Sequence, residues 1–442
     1  MRRVCLTLPT NRACADTVAA VLEEARYAAA RFGVEVYVLV LDSADPGAFA
    51  EHAAVIAAAP RTPGVVPLHL GEAAQRRFLD RVVALADVAK PELVTDLMLP
   101  TGVSYGACTN RAFLLAAALG CESVHRRDSD SRYQERHGRR VFPIAPELAT
   151  LGRPAADAAA EVTETALAPA HRHRPVVMAG ASFIGEMSVD IADIRRRDPA
   201  VYHDVVGLWA PDDASEAEKR ALVEESFTGA GTDAFTRDHA TLTVVDPMRV
   251  DMCNIAFWRV YEHLPLPPAT HTIGSDYFLI HVVHAAGLPG VLHNRHIVNF
   301  HTGERKTGPG FRAYHLRLAK FFLSMRYLHP IYRDLAAAGG SLLDGHHRVR
   351  ADRIAGFVRD SVWLSPAENE RRLDRLERAY RRLGGAYAAV AADLAARRAA
   401  LLREAARDVA DFATLIEAWQ PLVRAGRALG PDPRRLWAGG DR

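Results

Sequence analysis

Two aspartates lie two positions apart in Asp128-Ser129-Asp130, and no other Asp-x-Asp occurs in the 442 residues. Carboxylates at this spacing in a turn can both face one divalent cation, which takes oxygen ligands and can bridge a diphosphate. Such a cation would act as a Lewis acid and neutralise the charge that builds on a departing phosphate. The same spacing also occurs in solvated turns, so its meaning depends on the elements around it.

A further carboxylate, Asp276, precedes a segment with helical spacing of its apolar residues. It could take the proton of an attacking hydroxyl group as a general base. It could equally cap the helix that we predict to begin at Tyr277. Both roles stay open on the sequence alone.

Three histidines, His293, His296 and His301, lie in a strand-like segment from Val291 to His301. His296 and His301 are an odd number of positions apart, so a regular strand would direct them to opposite faces. We predict that His301 is a metal ligand, because it ends the strand where the chain turns. Arg305 follows closely, and it could pair with phosphate oxygens or remain a solvated charge.

The first 130 residues alternate between apolar, strand-like runs and segments of helical periodicity. The predicted strands are Val4 to Leu8, Val34 to Leu41, Val65 to Leu70 and Ser123 to His125. This alternation predicts an α/β fold with a parallel sheet and helices on both faces. Ligands of such sheets bind outside the carboxyl ends of the strands, where the acidic turn (residues 128–130) lies.

The composition changes beyond about residue 310, where strand-like runs disappear and Ala, Arg, Leu and Glu recur at helical spacing. We predict a catalytic domain over residues 1–308 and an all-α C-terminal subdomain over residues 309–442. Arginine and glutamate are interleaved there, which favours a solvated amphipathic surface over a nucleic-acid-binding one. These helices could also form a homodimer contact.

The charge balance excludes several classes of partner. The chain has 55 basic and 53 acidic residues, so it has no strong field that would attract nucleic acid or anionic lipid. Five scattered cysteines form no disulfide framework and no Cys-x-x-Cys pair. No signal peptide or apolar stretch of membrane-spanning length is evident. We therefore expect a cytoplasmic protein with reduced thiols, no nucleic-acid partner and no integral membrane association.

Several motifs in order resemble the core of GT-A glycosyltransferases of the family 2 type. They are Leu6–Arg12, the glycine-containing Pro100–Gly106, Asn110–Ala112 on the following helix, and the strand that ends in the acidic turn. The resemblance covers about residues 4–305. It implies a Rossmann-like GT-A mixed sheet flanked by helices, a UDP- or GDP-sugar as donor, and Mn²⁺ or Mg²⁺ as cofactor.

The resemblance also implies roles for individual residues. The predicted donor-binding residues are Pro9, Thr10, Asn11, Arg12, Asp42, Tyr105, Gly106, Asn110, Arg111, Ser129 and Arg305. Asp128, Asp130 and His301 would hold the metal ion, and Asp276 would be the general base. The second strand ends in Asp42-Ser43-Ala44-Asp45, which is poorer in Asp and Ser than the family pattern, so a turn role for Asp42 stays open. The segment Asp251–Asn254 resembles one that lines the bound sugar.

The sequence thus predicts a metal-dependent, inverting glycosyltransferase. The expected acceptor is a small hydrophilic molecule, such as an aminocyclitol in antibiotic biosynthesis. One alternative is a sugar-nucleotide nucleotidyltransferase, although the loop Pro9–Arg12 has no glycine to let backbone amides approach a triphosphate. Another alternative is a non-catalytic sugar-binding protein on the same fold.

Overall fold

The computed structural model describes residues 1–187, 189, 191–300, 303–306, 308–432 and 436. The strands are β1 Arg3–Thr10, β2 Glu35–Asp42, β3 Val65–Gly71, β4 Ser123–Arg127, β5 Ser131–Tyr133, β6 Glu135–Arg136, β7 Arg139–Arg140, β8 Glu164–Thr165, β9 Met178–Gly180, β10 Phe183–Gly185, β11 Ala240–Thr243, β12 Asn254–Trp258, β13 Gly290–His293 and β14 Ile297–Asn299.

The helices alternate with the early strands and then dominate the C-terminal part. They are α1 Ala15–Phe32, α2 Pro46–Ala58, α3 Glu72–Ala86, α4 Pro91–Met98, α5 Tyr105–Ala118, α6 Ile144–Thr150, α7 Ala155–Ala158, α8 Ala192–Arg197, α9 Pro199–Val206, α10 Glu216–Glu225, α11 Phe278–Ala285, α12 Gly308–Ala338, α13 Ala351–Ser361, α14 Ala367–Leu383 and α15 Gly385–Ala428. None of the helices in the described ranges combines the length and apolar character needed to cross a bilayer.

Within the described ranges, nine strands form one mixed sheet in the order β3-β2-β1-β4-β12-β9-β13-β11-β8. Strands β3, β2, β1 and β4 run parallel, and β12 is antiparallel to both β4 and β9. A smaller sheet pairs β10, β14 and β5 beside the acidic turn. The structure therefore confirms an α/β fold with a large mixed sheet and a helical C-terminal region.

The central strands are buried on both faces, as their continuous apolar runs predict. Along β1, Val4 and Leu6 pack in a cluster with α1, whereas Cys5 belongs to the larger core on the opposite face. That larger core includes Phe113 of α5 and continues into the C-terminal helices. The sheet thus holds β1 and β4 rigidly side by side, and their carboxyl ends present the functional residues.

The strand-like segment that begins at Val291 is divided between two sheets. Strand β13 pairs with β9 and β11 in the large sheet, and β14 pairs with β10 and β5 in the small one. His293 and His296 are buried or half-buried near this change of sheet, and His301 lies outside the described residues.

The C-terminal helices pack against the α/β part and share its core. Trp419 of α15 is fully buried, and its indole N–H donates to the carbonyl oxygen of Tyr261 at 2.9 Å. Helix α15 also packs along α3 and α5. The division into domains at residue 308 stays a prediction, and helix α12 begins at Gly308.

Candidate functional site

The acidic turn follows β4 directly and lies between two cavities. One cavity, of 250 Å³, extends from the turn toward the loop after β1, and the other, of 370 Å³, extends toward α10 and α12. Both cavities are lined by Tyr105, Arg126, Asp128, Asp130 and Arg305. A molecule in one cavity could therefore meet a molecule in the other at these shared side chains.

The smaller cavity, called the arginine-lined cavity below, is rich in positive charge. Among the described residues that line it are Arg12, Arg111, Arg126, Arg305 and Arg317, against the carboxyl groups of Glu72, Asp128 and Asp130. Guanidinium groups recognise phosphate oxygens well because they are planar and offer paired N–H donors. The cavity is suited to an anion of the diphosphate type.

The larger cavity, called the aromatic cavity below, combines a group of carboxylates with many apolar and aromatic side chains. Ser182, Glu225 and Asn299 also line it. Asp128, Asp251 and Asp276 lie at its polar end. Trp209 and Phe227 stack at 5.0 Å between ring centroids on the apolar side. The two cavities share the charged residues at their boundary and differ beyond it, because only the arginine-lined cavity has Arg12, Arg111 and Arg317.

Asp130 is held by two arginines from distant parts of the chain. Its Oδ2 atom lies 3.2 Å from Arg12 Nη1 and 2.7 Å from Arg305 Nη2. Arg305 also lies over the ring of Tyr314, with its Cζ atom 5.4 Å from the ring centroid. The turn is thereby tied both to the loop after β1 and to the segment that precedes α12.

Arg126, the fourth residue of β4, links Asp128 to Asp276. Its Nη2 atom lies 3.1 Å from Asp128 Oδ1, and its Nη1 atom donates to Asp276 Oδ2 at 2.8 Å. Burial raises the pKa of Asp128 to about 6; Arg126 opposes this, and the nearby carboxylates of Asp130, Asp276 and Asp251 add to it. Burial also raises the pKa of Asp276, against the effect of Arg126. Asp128 and Asp276 thus share the single guanidinium group of Arg126.

Most of the predicted site residues line one of these cavities. Pro9, Thr10, Asn11, Arg12, Arg111 and Ser129 line the arginine-lined cavity, Tyr105, Asp128, Asp130 and Arg305 line both, and Asp276 lines the aromatic one. Arg111 is largely committed within the fold, because it donates to Gln75 Oε1 and to the carbonyl oxygen of Met98. The predicted cap role of Asp276 is not observed, because helix α11 has Tyr277 at its N-cap position.

Gly106 and Asn110 need correction, since the structure gives them packing roles rather than donor contacts. A Cβ atom on Gly106 would lie 1.9 Å from the carbonyl oxygen of Pro267, so only glycine permits this close approach. Asn110 is fully buried and exchanges two hydrogen bonds with the backbone of Leu266. Both residues join α5 to the segment before α11, which positions the cavity wall.

Asp42 also needs correction, because its carboxylate is buried and already satisfied. Its Oδ1 atom accepts from the Ala44 amide at 2.8 Å, and its Oδ2 atom lies 2.7 Å from His52 Nδ1 and 2.8 Å from His69 Nε2. Burial acts to raise the pKa of Asp42, but hydrogen bonds from His69 and His52 outweigh it and lower that pKa. Asp42 is only 1% exposed and lines neither cavity, so its carboxylate is not placed to contact a nucleotide base.

The group Asp42, His52 and His69 has ligand atoms close enough for a metal ion, within 4.8 Å of one another. The Cys14 amide, however, donates to His52 Nε2 at 2.9 Å. A neutral imidazole has one acceptor nitrogen, so the Nδ1 atom that faces Asp42 carries the proton. This group is a hydrogen-bond network that anchors the end of β2, not a metal centre.

Arg126 and Arg317 also line the arginine-lined cavity, although the sequence did not lead us to predict either as a site residue. Arg126 and Asp128 are two positions apart, and period-two alternation at the end of β4 places both on one side. That signal was available in the sequence. Arg317 lies on α12, in the predicted helical subdomain, and nothing local connects it with the acidic turn.

Comparison with curated proteins gives no sequence match. Residues 2–434 match a family model, and the matched range includes the sheet, both cavities and the C-terminal helices. This match far exceeds half of the chain, and the protein therefore belongs to the family of unknown function DUF6271.

Proposed function

We propose that this protein is a glycosyltransferase that moves a sugar from a nucleoside-diphosphate sugar to an acceptor in the aromatic cavity. The observation that carries the proposal is the position of the acidic turn, which is shared by an arginine-lined cavity and a cavity lined by the carboxylates of Asp251 and Asp276. A mixed α/β sheet flanked by helices, with the acidic turn after a central strand, agrees with the GT-A resemblance.

The diphosphate of the donor would bind in the arginine-lined cavity. Arg12 and Arg305 lie at its boundary and share Asp130, which holds their guanidinium groups in place. A negatively charged diphosphate would find N–H donors there without large rearrangement, and preorganised donors stabilise a leaving group most effectively. The nucleoside would extend toward the loop Pro9–Arg12.

Asp128 fits the requirements of a divalent cation better than Asp130 does. Its side chain is partly exposed, at 27%, and the neighbouring carboxylates of Asp276 and Asp251 would favour a nearby cation. Asp130 Oδ2 is already paired with two guanidinium groups. When bound, a Mn²⁺ or Mg²⁺ ion would supply Lewis-acid neutralisation of the departing diphosphate. The arginines would neutralise part of the same charge.

Asp276 is the candidate general base for the acceptor. The acceptor oxygen attacks the anomeric carbon, the bond from that carbon to the diphosphate oxygen breaks, and its electron pair leaves with the diphosphate. The acceptor proton passes to the Asp276 carboxylate, which Arg126 orients at 2.8 Å. The raised pKa of Asp276 makes it a stronger base than an exposed aspartate.

The first experiment measures nucleotide binding. Calorimetric titration of UDP and GDP, with and without Mn²⁺, should show binding by the wild type, and Arg305→Ala should weaken it about tenfold or more. Arg312→Ala is the matched control, since Arg312 lies nearby on α12 but pairs with Asp393 outside both cavities. Absence of binding for both nucleotides would overturn the donor assignment.

The second measurement follows release of the nucleoside diphosphate from UDP- and GDP-sugars by chromatography. Asp276→Asn should lower turnover by about a hundredfold or more while nucleotide affinity stays at the wild-type value. Full turnover in Asp276→Asn would exclude this residue as the base. Sugar binding without any release or transfer would instead favour a non-catalytic sugar-binding protein, and pyrophosphate release from a nucleoside triphosphate would favour a nucleotidyltransferase.

A further inference from the structure

We propose that the aromatic cavity takes an acceptor with a neutral, apolar body of about two fused rings and a nucleophilic hydroxyl group at one end. This inference rests on the proposed function in naming the occupant an acceptor, while the ligand class follows from the cavity itself. It departs from the sequence-based expectation of a small hydrophilic acceptor.

The walls of the aromatic cavity are the first argument. Trp209 packs between Phe227, at 5.0 Å, and Phe321, at 5.4 Å between ring centroids. Met248 and Met325 line the same cavity, and methionine side chains adapt to ring-shaped ligands. These groups offer dispersion contacts and ring edges or faces, but few hydrogen bonds for a polyol.

The backbone at Phe227 is the second argument. Its φ angle is +63°, a left-handed conformation that is a strained choice for a bulky side chain. This conformation is part of the turn that directs the ring onto Trp209. Strained residues of this kind concentrate at ligand-binding sites, where the surrounding structure maintains them.

Two histidines in the wall do not make the cavity polar. His281 is stacked on Tyr332 with centroids 3.9 Å apart, and burial lowers the pKa of His281 to about 3. His329 uses its Nε2 atom in a 2.6 Å hydrogen bond to the carbonyl oxygen of Trp209. Burial lowers the pKa of His329 to about 4, so both rings are neutral at pH 7.

The polar end explains the position of the hydroxyl group and the neutral body. Asp128, Asp251 and Asp276 face this end of the cavity, and Arg126 is already paired with two of them. A hydroxyl group can donate to one of these carboxylates, and the acceptor oxygen then lies beside the arginine-lined cavity. An anionic acceptor would be repelled there.

The size of the cavity sets the size of the body. An apolar cavity of about 150 Å³ holds one benzene ring. The aromatic cavity, at 370 Å³, therefore has room for two fused rings and their substituents.

The test uses three probes of similar size with the 442-residue chain. Calorimetry should show 2-naphthol binding at least tenfold more tightly than myo-inositol, which has a polar body, and than 2-naphthoate, which is anionic. Equal or tighter binding of myo-inositol would overturn the apolar body, and equal binding of 2-naphthoate would overturn its neutrality.

Three variants test whether 2-naphthol binds in the aromatic cavity. Phe227→Ala should weaken 2-naphthol binding about tenfold through loss of ring contacts. Met248→Trp should block the cavity by filling it, which avoids reliance on a truncation that could loosen the fold. Phe357→Ala on α13 is the control, because Phe357 packs against the core but lines neither cavity. Unchanged 2-naphthol affinity in Met248→Trp would refute this location.

The outcomes separate the inference from the proposed function. If 2-naphthol binds as expected but no donor sugar is ever transferred, the ligand class stands and the glycosyltransferase proposal fails. If sugar is transferred to myo-inositol while 2-naphthol does not bind, the glycosyltransferase proposal stands and the inference fails.

Discussion

Charge at the acidic turn is distributed unevenly between its two aspartates. Asp130 is neutralised by Arg12 and Arg305, whereas Asp128 shares the guanidinium of Arg126 with Asp276. Removing carboxylates from water and placing them side by side costs free energy that only a cation or a proton can recover. The ionised form of Asp128 therefore lowers the stability of the fold.

The free energy of unfolding should depend on pH through the ionisation of Asp128. Its folded pKa of about 6 exceeds the ordinary aspartate value, so its ionisation destabilises the fold as the pH rises from about 4 to 6 and above. Asp128→Asn should therefore raise the free energy of unfolding by about 1–2 kcal/mol at pH 7.5, allowing for partial exposure. The gain should vanish at pH 4, where the wild-type side chain is protonated. Urea unfolding at both pH values measures this, and a loss of stability at pH 7.5 would contradict it.

At the scale of elements, consecutive residues of β4 form the site on one face of the sheet and a buried ion-pair group on the other. Arg126 points to the site, and Arg127 points to the opposite face, where its Nη2 atom lies 2.9 Å from Glu24 Oε1 and 3.0 Å from Glu147 Oε2. His125 completes this buried group with a 2.6 Å contact to Glu147. The group ties α1 and α6 to β4, which keeps the acidic turn in position.

Loss of charge at Glu147 tests this buried group. Glu147→Gln should lower the free energy of unfolding by about 3 kcal/mol, because it leaves part of the Arg127 charge buried without a partner. Burial alone would raise the pKa of Glu147, but Arg127, the hydrogen bond with His125 and the nearby His293 lower it well below its ordinary value. The stabilisation is therefore complete above the ordinary carboxyl pKa and disappears as the pH falls through the lower, folded value.

Urea unfolding at pH 7 and at pH 4 gives the measurement. Glu122→Gln is the control, since Glu122 forms a surface pair with Arg2 at 3.6 Å and its loss should change stability by less than about 1 kcal/mol. A Glu147→Gln variant as stable as the control would mean that the buried group contributes little.

At the scale of the whole molecule, the C-terminal helices complete the core of the α/β part. Trp419 on α15 is buried beside Tyr261, and Arg317 on α12 lines the arginine-lined cavity. The match to DUF6271 also runs through these helices, to residue 434. We therefore predict that residues 1–308 do not fold without these helices, in contrast to the domain division expected from the sequence.

Thermal unfolding followed by calorimetry tests whether the α/β part and the C-terminal helices unfold together. The full chain should unfold in one cooperative transition, and Trp419→Ala should destabilise it by about 3–5 kcal/mol, because a large buried side chain leaves a cavity. Trp363→Ala is the matched control, because Trp363 is 87% exposed. A fragment of residues 1–308 that folds cooperatively and binds UDP would instead support two separable domains.

Local sequence determined much of the architecture. Apolar runs of strand length, separated by helical periodicity, specify β1, α1, β2, α2, β3 and β4 in order, because these patterns reflect burial of each element against the same core. The acidic turn and its position after β4 were predictable for the same reason. The helical character of the C-terminal part follows from its alanine- and arginine-rich periodicity.

Only the tertiary structure decided which charges meet. Arg12 and Asp130 are 118 positions apart, Arg126 and Asp276 are 150 apart, and Arg305 reaches Asp130 across 175 positions. Local periodicity reports whether a residue is buried, but it carries no information about such distant partners. The same holds for Asp42 at the end of β2. Its buried carboxylate contacts two histidines from neighbouring elements, and the local sequence does not reveal either contact. The apolar nature of the larger cavity likewise arises from Trp209, Phe227 and Phe321, which the fold gathers from separate segments.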